Sequence, residues 1–185
     1  MLAAIAAEGE AHAALLAGDH EQARAAYKRA VDDYRASWKL APPRSYGRLV
    51  GLLKAAVLAG AARSGADEVR EALQDDADAH GSPVASYALA VAALALDDDD
   101  AVAAHADVMD GGSEAFQRTA RALRALAGLD ASGYREAIAA IEADFATRDE
   151  HLTGVRIADT AVMLELLAAQ RGLAAHLPSP LVPVG

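Results

Sequence analysis

The chain contains no cysteine, which removes disulfides, thiolate metal sites and a cysteine nucleophile together. Aromatic residues make up only 4% of it, and strands draw on aromatic and β-branched side chains, so a sheet is disfavoured from the start. No Gly-Lys-Ser/Thr and no Gly-x-Gly-x-x-Gly occurs, so a glycine-rich phosphate cradle is not expected. The longest apolar run, Pro83 to Leu96, is too short to cross a bilayer. Residues 1–17 lack a basic leading region and carry Glu8 and Glu10 within their apolar stretch, so no secretory signal is read there and a cytoplasmic location is expected. Lysine is confined to Lys28, Lys39 and Lys54, and the formal charge is −10. That balance argues against a nucleic-acid binder, whose affinity rests on neutralising phosphates.

What is present is alanine, followed by leucine and valine, within a 54% hydrophobic composition. Alanine is the best helix former and a small core filler, so closely approaching helices are expected and the fold class is all-α. At 185 residues one domain is the default. We place it at residues 1–176, followed by an extended proline-rich tail at 177–185 that caps the last helices.

Apolar periodicity and helix punctuation predict nine helices, at 2–17, 20–40, 45–63, 66–79, 83–96, 98–110, 114–128, 133–147 and 155–174. Gly18-Asp19 supplies a helix end and then an N-cap, and Ser82-Pro83 pairs an N-cap with proline at the first helical position. Gly111-Gly112-Ser113 breaks one helix and caps the next, while Pro42-Pro43 forces an extended joint. Connections this short make neighbouring helices antiparallel, so the expected architecture is stacked helix pairs.

Four junctions superpose on a small residue opening each second helix: Ala23, Val69, Ala101 and Ala137, followed four residues later by Tyr27, Leu73, His105 and Ile141. The segment from Gly18 through Ala23 and Tyr27 to Ala30 resembles the second-helix opening of a tetratricopeptide repeat. Elsewhere the pattern departs from that family, since the place of Ala30 is taken by Asp76, Val108 and Asp144 and no closing proline appears. The resemblance implies a short, curved helical-repeat scaffold, TPR-like, that binds peptides or proteins in a concave groove. Ile157 to Ala161, Ala168 to Leu173 and Ser179-Pro180-Leu181-Val182-Pro183 are similar to the ends of all-helical immunity proteins of the immunity-49 type. Leu181 stands where that family often has an aromatic. This second resemblance implies a stoichiometric inhibitor of a toxin.

Few residues offer chemistry. Asp97 to Asp100, with His105, Asp107 and Asp110 nearby, could attract a cation and would then serve a metal-dependent hydrolase. Consecutive helical aspartates diverge, however, and a run at a helix start complements the macrodipole, so capping is the favoured reading and no metal is expected. The six histidines have no i, i+4 pairing and are read as exposed or capping groups. The helix expected from Val155 is apolar nearly all round, which indicates burial on several sides, with Arg156 and Asp159 placed to pair.

One segment stands apart. Residues 24–54 hold eight basic side chains against Asp32 and Asp33, together with the only tryptophan, Trp38, and Tyr27, Tyr34 and Tyr46. Aromatics beside arginines are the material of interface hot spots. A core face flanked by cations whose stems lie along it is the favoured reading, with a docking surface as the alternative. Trp38, Arg44, Tyr46 and Arg48 are the candidate partner-binding residues, with Arg44, Tyr46 and Arg48 expected to be exposed after the proline joint. The functional expectation is a non-catalytic protein-interaction module without a cofactor, whose partner is a protein or peptide of acidic character. An immunity protein is the alternative, and the hydrolase stands last.

Overall fold

The structure is a computed structural model that describes residues 1–183; the last two residues of the predicted 177–185 tail lie outside the described part. Nine α-helices follow one another, with no strand among the described residues. They are α1 (Leu2–Leu16), α2 (His20–Lys39), α3 (Gly47–Leu58), α4 (Ala62–Leu73), α5 (Pro83–Ala95), α6 (Asp99–Met109), α7 (Glu114–Ala127), α8 (Ala131–Ala146) and α9 (Asp159–Gln170). A single 3₁₀ turn, Ala77–Ala79, stands between α4 and α5. The all-α architecture of packed, sequence-adjacent helix pairs is the one expected.

The odd-numbered helices share one ending. In each, a residue enters the left-handed region: Gly18 at φ 76°, Gly60 at 80°, Asp97 at 62°, Leu129 at 54° and Gly172 at 70°. The next N–H then returns to a carbonyl one full turn and more behind it. Asp19 donates to Ala14, Ala61 to Ala56, Asp98 to Ala93, Asp130 to Ala125 and Leu173 to Ala168, all at 2.8–2.9 Å. This turn satisfies carbonyls that a helix end leaves open. Asp19, Asp98 and Asp130 then cap the following helix with their carboxylates, so chain reversal and helix restart are built into adjacent residues.

Aligning these turns corrects the repeat register. The position of Ala23 corresponds to Gly65, Val102 and Tyr134, not to Val69, Ala101 and Ala137. The next turn of each helix brings Tyr27, Val69, Ala106 and Ile138, all of them buried. The sequence pattern slipped because Ser64-Gly65 and Ser132-Gly133 read as turn residues, whereas both lie inside helices. Gly65 sits there for closeness: a Cβ would meet the Ala56 Cβ at 2.5 Å, so α3 and α4 approach more tightly than alanine allows. The same slip moved the predicted break. Helices expected at 45–63 and 66–79 are in fact α3 and α4, separated by the turn at Gly60.

Helices α3, α5 and α7 pack side by side as an inner layer, while α2, α4, α6 and α8 pack on their chain neighbours as an outer one. Alanines fill much of the interface, including Ala4, Ala11, Ala26, Ala30, Ala90 and Ala120 at 0% exposure. α9 then packs against α3, α7 and α8, burying Ala161 to Glu165, Leu167 and Ala168. The burial expected of this helix on several sides is present. Consequently the inner face, which a peptide-binding repeat would leave open, is covered here by the chain's own helix. The segment after α9 runs without helix over it. Leu181 and Val182 are buried and the Leu181 carbonyl accepts the Ala158 N–H at 2.9 Å. That long-range bond also explains why α9 starts at Asp159 and not at Val155.

Candidate functional site

The basic, aromatic segment is largely turned inward and paired. Tyr27 and Tyr34 belong to the core, each at 2% exposure. Tyr46 was expected at the surface and is instead 3% exposed, its hydroxyl donating to Asp76 at 2.9 Å. Arg48, half-buried, donates to the Ser37 carbonyl in the last turn of α2. Arg44 is exposed, as expected, but its guanidinium grips Asp78 through two bonds of 3.0 and 2.7 Å. Its backbone takes a left-handed φ of 64°. Arg29 pairs with Glu10, and Arg35 with both Glu68 and Asp32. Trp38 is half-buried, 6.4 Å from the Tyr46 ring. What stays free is a stripe on α2: Arg24, Lys28 and Lys39 are exposed, fall within about 60° of one another on the helix, and have no ion-pair partner among the described residues. Leu40, which follows the last residue of α2, is 86% exposed.

A second region was not legible as a unit. α1 carries Glu8 and His12 on its inward stripe, each 1% exposed. Tyr34 from α2 donates its hydroxyl to Glu8 Oε2 at 2.7 Å. It reaches that carboxylate across Gly51 of α3, where an added Cβ would fall within 2.6 Å of a Tyr34 ring carbon. Lys54 from α3 is bonded to Asp159, the first residue of α9, and stands 4.0 Å from Glu8. The pairing expected between Arg156 and Asp159 is therefore not made. Arg156 precedes the helix and donates to the Ala146 carbonyl, leaving Asp159 to the buried ammonium.

The electrostatics follow from burial. Burial pushes the Glu8 carboxyl above its ordinary 4.5, against the opposing pull of Lys54 and the Tyr34 hydroxyl. Burial likewise draws the His12 imidazole down from 6.5 to about 4, so His12 is neutral at physiological pH and is neither the exposed nor the capping histidine expected. Burial disfavours the Asp159 carboxylate and the Lys54 ammonium alike, but their mutual attraction outweighs it. Asp159 is held below its usual range and Lys54 above its own.

The segment 147–158 closes over this cluster. Its Thr153 hydroxyl meets His12 Nδ1 at 3.0 Å, and its Thr153 carbonyl lies where a Cβ on Gly9 would stand 3.0 Å away. Beneath it is a cavity of about 250 Å³ whose lining includes His12, Lys54, Asp159, Phe145, His151 and Thr153. It adjoins a second cavity of about 210 Å³ beside Tyr87 and Arg118, the two sharing Phe145, Arg148, Asp159 and Thr160. His151 stacks on Phe145 with ring centroids 4.9 Å apart. Among the described residues, five buried side-chain atoms lack a hydrogen-bond partner, and four of them belong to this region: Glu8 Oε1, His12 Nε2, Tyr27 Oη and His151 Nδ1. The fifth, Asp99 Oδ1, lies 2.8 Å from an Arg171 nitrogen. An unsatisfied buried polar group costs about 1–3 kcal/mol, so four in one place mark the least self-sufficient part of the fold.

The acidic run behaves as a set of separate contacts. Asp98 caps α6, Asp97 accepts from Arg63, Asp99 faces Arg171, and Asp107 and Asp110 share Arg124. Among the described residues no group of three or more histidines and carboxylates stands where it could hold a metal ion. None of the described helices is long and apolar enough to cross a membrane. In comparison with known proteins, the chain matches no family model, no curated protein and no solved structure.

Proposed function

We propose that the chain is a non-catalytic protein-interaction module, a TPR-like scaffold that docks an acidic protein or peptide on the outer face of α2. One observation carries the reading: in a chain of charge −10, Arg24, Lys28 and Lys39 form an exposed stripe without ion-pair partners among the described residues. Unmatched cations steer an anionic partner to that face. With the inner face under α9, docking falls to the outside of the repeat.

The test is capture of partners from the native cell extract by the wild-type chain and by the triple variant R24E/K28E/K39E. Capture drops at least tenfold in the variant and weakens with added salt, while thermal unfolding is unchanged, because the three side chains make no ion pair among the described residues. Equal capture by both proteins overturns the reading. Arg44 and Arg48 are poor probes, since reversing either also breaks a fold contact.

A second reading, an immunity protein, draws support from the C-terminal region. Two of the stretches that carry that resemblance are joined, since Ala158 donates to the Leu181 carbonyl, while Arg171 of the third ties it to the Leu94 and Leu126 carbonyls of α5 and α7. Rescue of growth on co-expression with a toxin encoded beside it would favour this reading over a general adaptor.

A further inference from the structure

A cavity of about 290 Å³ opens where α4, α5 and α6 meet, and Arg70, Gln74, His80, Ser86 and His105 form its polar lining. We propose that it binds a small phosphate monoester, with the phosphoryl group among these side chains and a compact apolar group against Leu73 and Leu89.

Charge is the first argument. Four other cavities of the molecule each include an aspartate or glutamate in their lining, as a chain of charge −10 would suggest. This one includes none. Arg70 is exposed and meets Asp98 only at 4.0 Å, and that carboxylate already accepts the Ala101 N–H as the cap of α6. The guanidinium therefore keeps donors for a ligand. Burial draws the His105 imidazole below its ordinary 6.5; Asp98 pulls the other way, while Arg70 and His80 add to the effect of burial. Three basic groups thus press on one another in the cavity they share, and an anion relieves that pressure.

The second argument is a hydroxyl. Ser86 is 1% exposed and lines the cavity. Its N–H is spent on the Ser82 carbonyl, but its hydroxyl makes no hydrogen bond among the described residues, and unlike the Tyr27 hydroxyl it is not sealed from water. A buried donor left open in this way is suited to a ligand oxygen.

The arrangement selects the anion. Arg70 and Gln74 come from the end of α4, His80 from the turn after it, Ser86 from α5 and His105 from α6. A phosphoryl group, with three terminal oxygens and nearly two charges, accepts from several sides, whereas a carboxylate offers two oxygens in one plane. The volume leaves room beyond the phosphoryl group, and Leu73 and Leu89 give that remainder an apolar wall.

The experiment titrates the full chain with phenyl phosphate, inorganic phosphate and benzoate at fixed ionic strength, by calorimetry and by NMR of the histidine rings. Phenyl phosphate binds saturably in the millimolar range or tighter, more tightly than either comparison anion, and the His105 ring then titrates at higher pH. Arg70→Gln weakens binding at least tenfold and Ser86→Ala about threefold, while R24E/K28E/K39E leaves it unchanged, which separates this site from partner capture on α2. Arg70 is exposed, so its variant keeps the test alive should Ser86→Ala disturb the core. Absence of saturable binding, equal binding of inorganic phosphate or benzoate, undiminished binding by the Arg70 variant, or loss of binding in the triple variant overturns the proposal.

Discussion

Two glutamates, Glu8 on α1 and Glu165 on α9, are each 1% exposed and each accept a tyrosine hydroxyl at 2.7 Å, from Tyr34 and Tyr134 respectively. Beyond that bond they part. Glu165 also accepts the backbone N–H of Ala175 at 3.0 Å and of His176 at 2.8 Å, so both oxygens are engaged and the carboxylate ties the segment after α9 to the core. Glu8 leaves Oε1 without a partner and has Lys54 only at 4.0 Å. A buried carboxylate is therefore not in itself a functional sign. Complete satisfaction marks Glu165 as a structural staple, while Glu8 keeps one oxygen buried and unmatched.

The largest expected effect breaks the staple. Glu165→Ala removes three hydrogen bonds and strands the Tyr134 hydroxyl and two amides, so urea unfolding should show a loss of about 3–5 kcal/mol. Glu8→Ala removes one such bond and should lose about 1–2 kcal/mol; equal losses would erase the contrast. Next comes acid. His12 protonates at 6.5 when unfolded and at about 4 when folded, so the unfolded chain gains the proton first. The stability that neutral His12 contributes is complete above pH 6.5 and is lost as pH falls toward 4, by about 3 kcal/mol. Stability curves against pH should show this acid limb in the wild type and a flatter one in His12→Phe.

The fold was legible because its punctuation is local. The Asp19 carboxylate takes the Gln22 N–H at 3.0 Å and Ser82 takes that of Ala85 at 3.3 Å, the caps that the sequence spells out. The turn at Gly60 was missed because alanines flank it and Ala61 caps α4 without a side-chain bond, so composition gives no step there. The polar cluster was illegible for a different reason. Glu8 and His12 lie on α1, Tyr34 on α2, Lys54 on α3 and Asp159 at the start of α9, and only packing brings them together. One signal was available: Glu8 and His12 fall on the stripe set by Ala4, Ala7, Ala11 and Ala14, which is the inward face of an otherwise apolar helix. In the basic segment, the pattern located the aromatic face, but it could not show that Tyr46 bonds Asp76 across the chain.

Gly51→Ala sharpens the comparison from the tyrosine side. The new methyl meets the Tyr34 ring, which must retreat from Glu8 or push α2 off α3; either route should cost about 1–3 kcal/mol in chemical denaturation. A cost confined to this variant, with Tyr134 and Glu165 untouched, would show by hydrogen exchange as lost protection in α1 and α2 but not after α9.

The smallest effect is the most discriminating. Because burial raises Glu8 above 4.5, the folded chain takes up a proton there before the unfolded chain does. A penalty for the charged form is then present above the folded value and vanishes below 4.5. Glu8→Gln copies the neutral carboxyl and keeps an acceptor for Tyr34, so at neutral pH the variant should match the wild type or exceed it by up to about 1 kcal/mol. The difference should close as pH approaches 4.5. A loss above about 1 kcal/mol at neutral pH would mean that Lys54 holds Glu8 as a working ion pair across 4.0 Å. Glu8 would then be a second staple like Glu165, and the contrast between the two glutamates would fall.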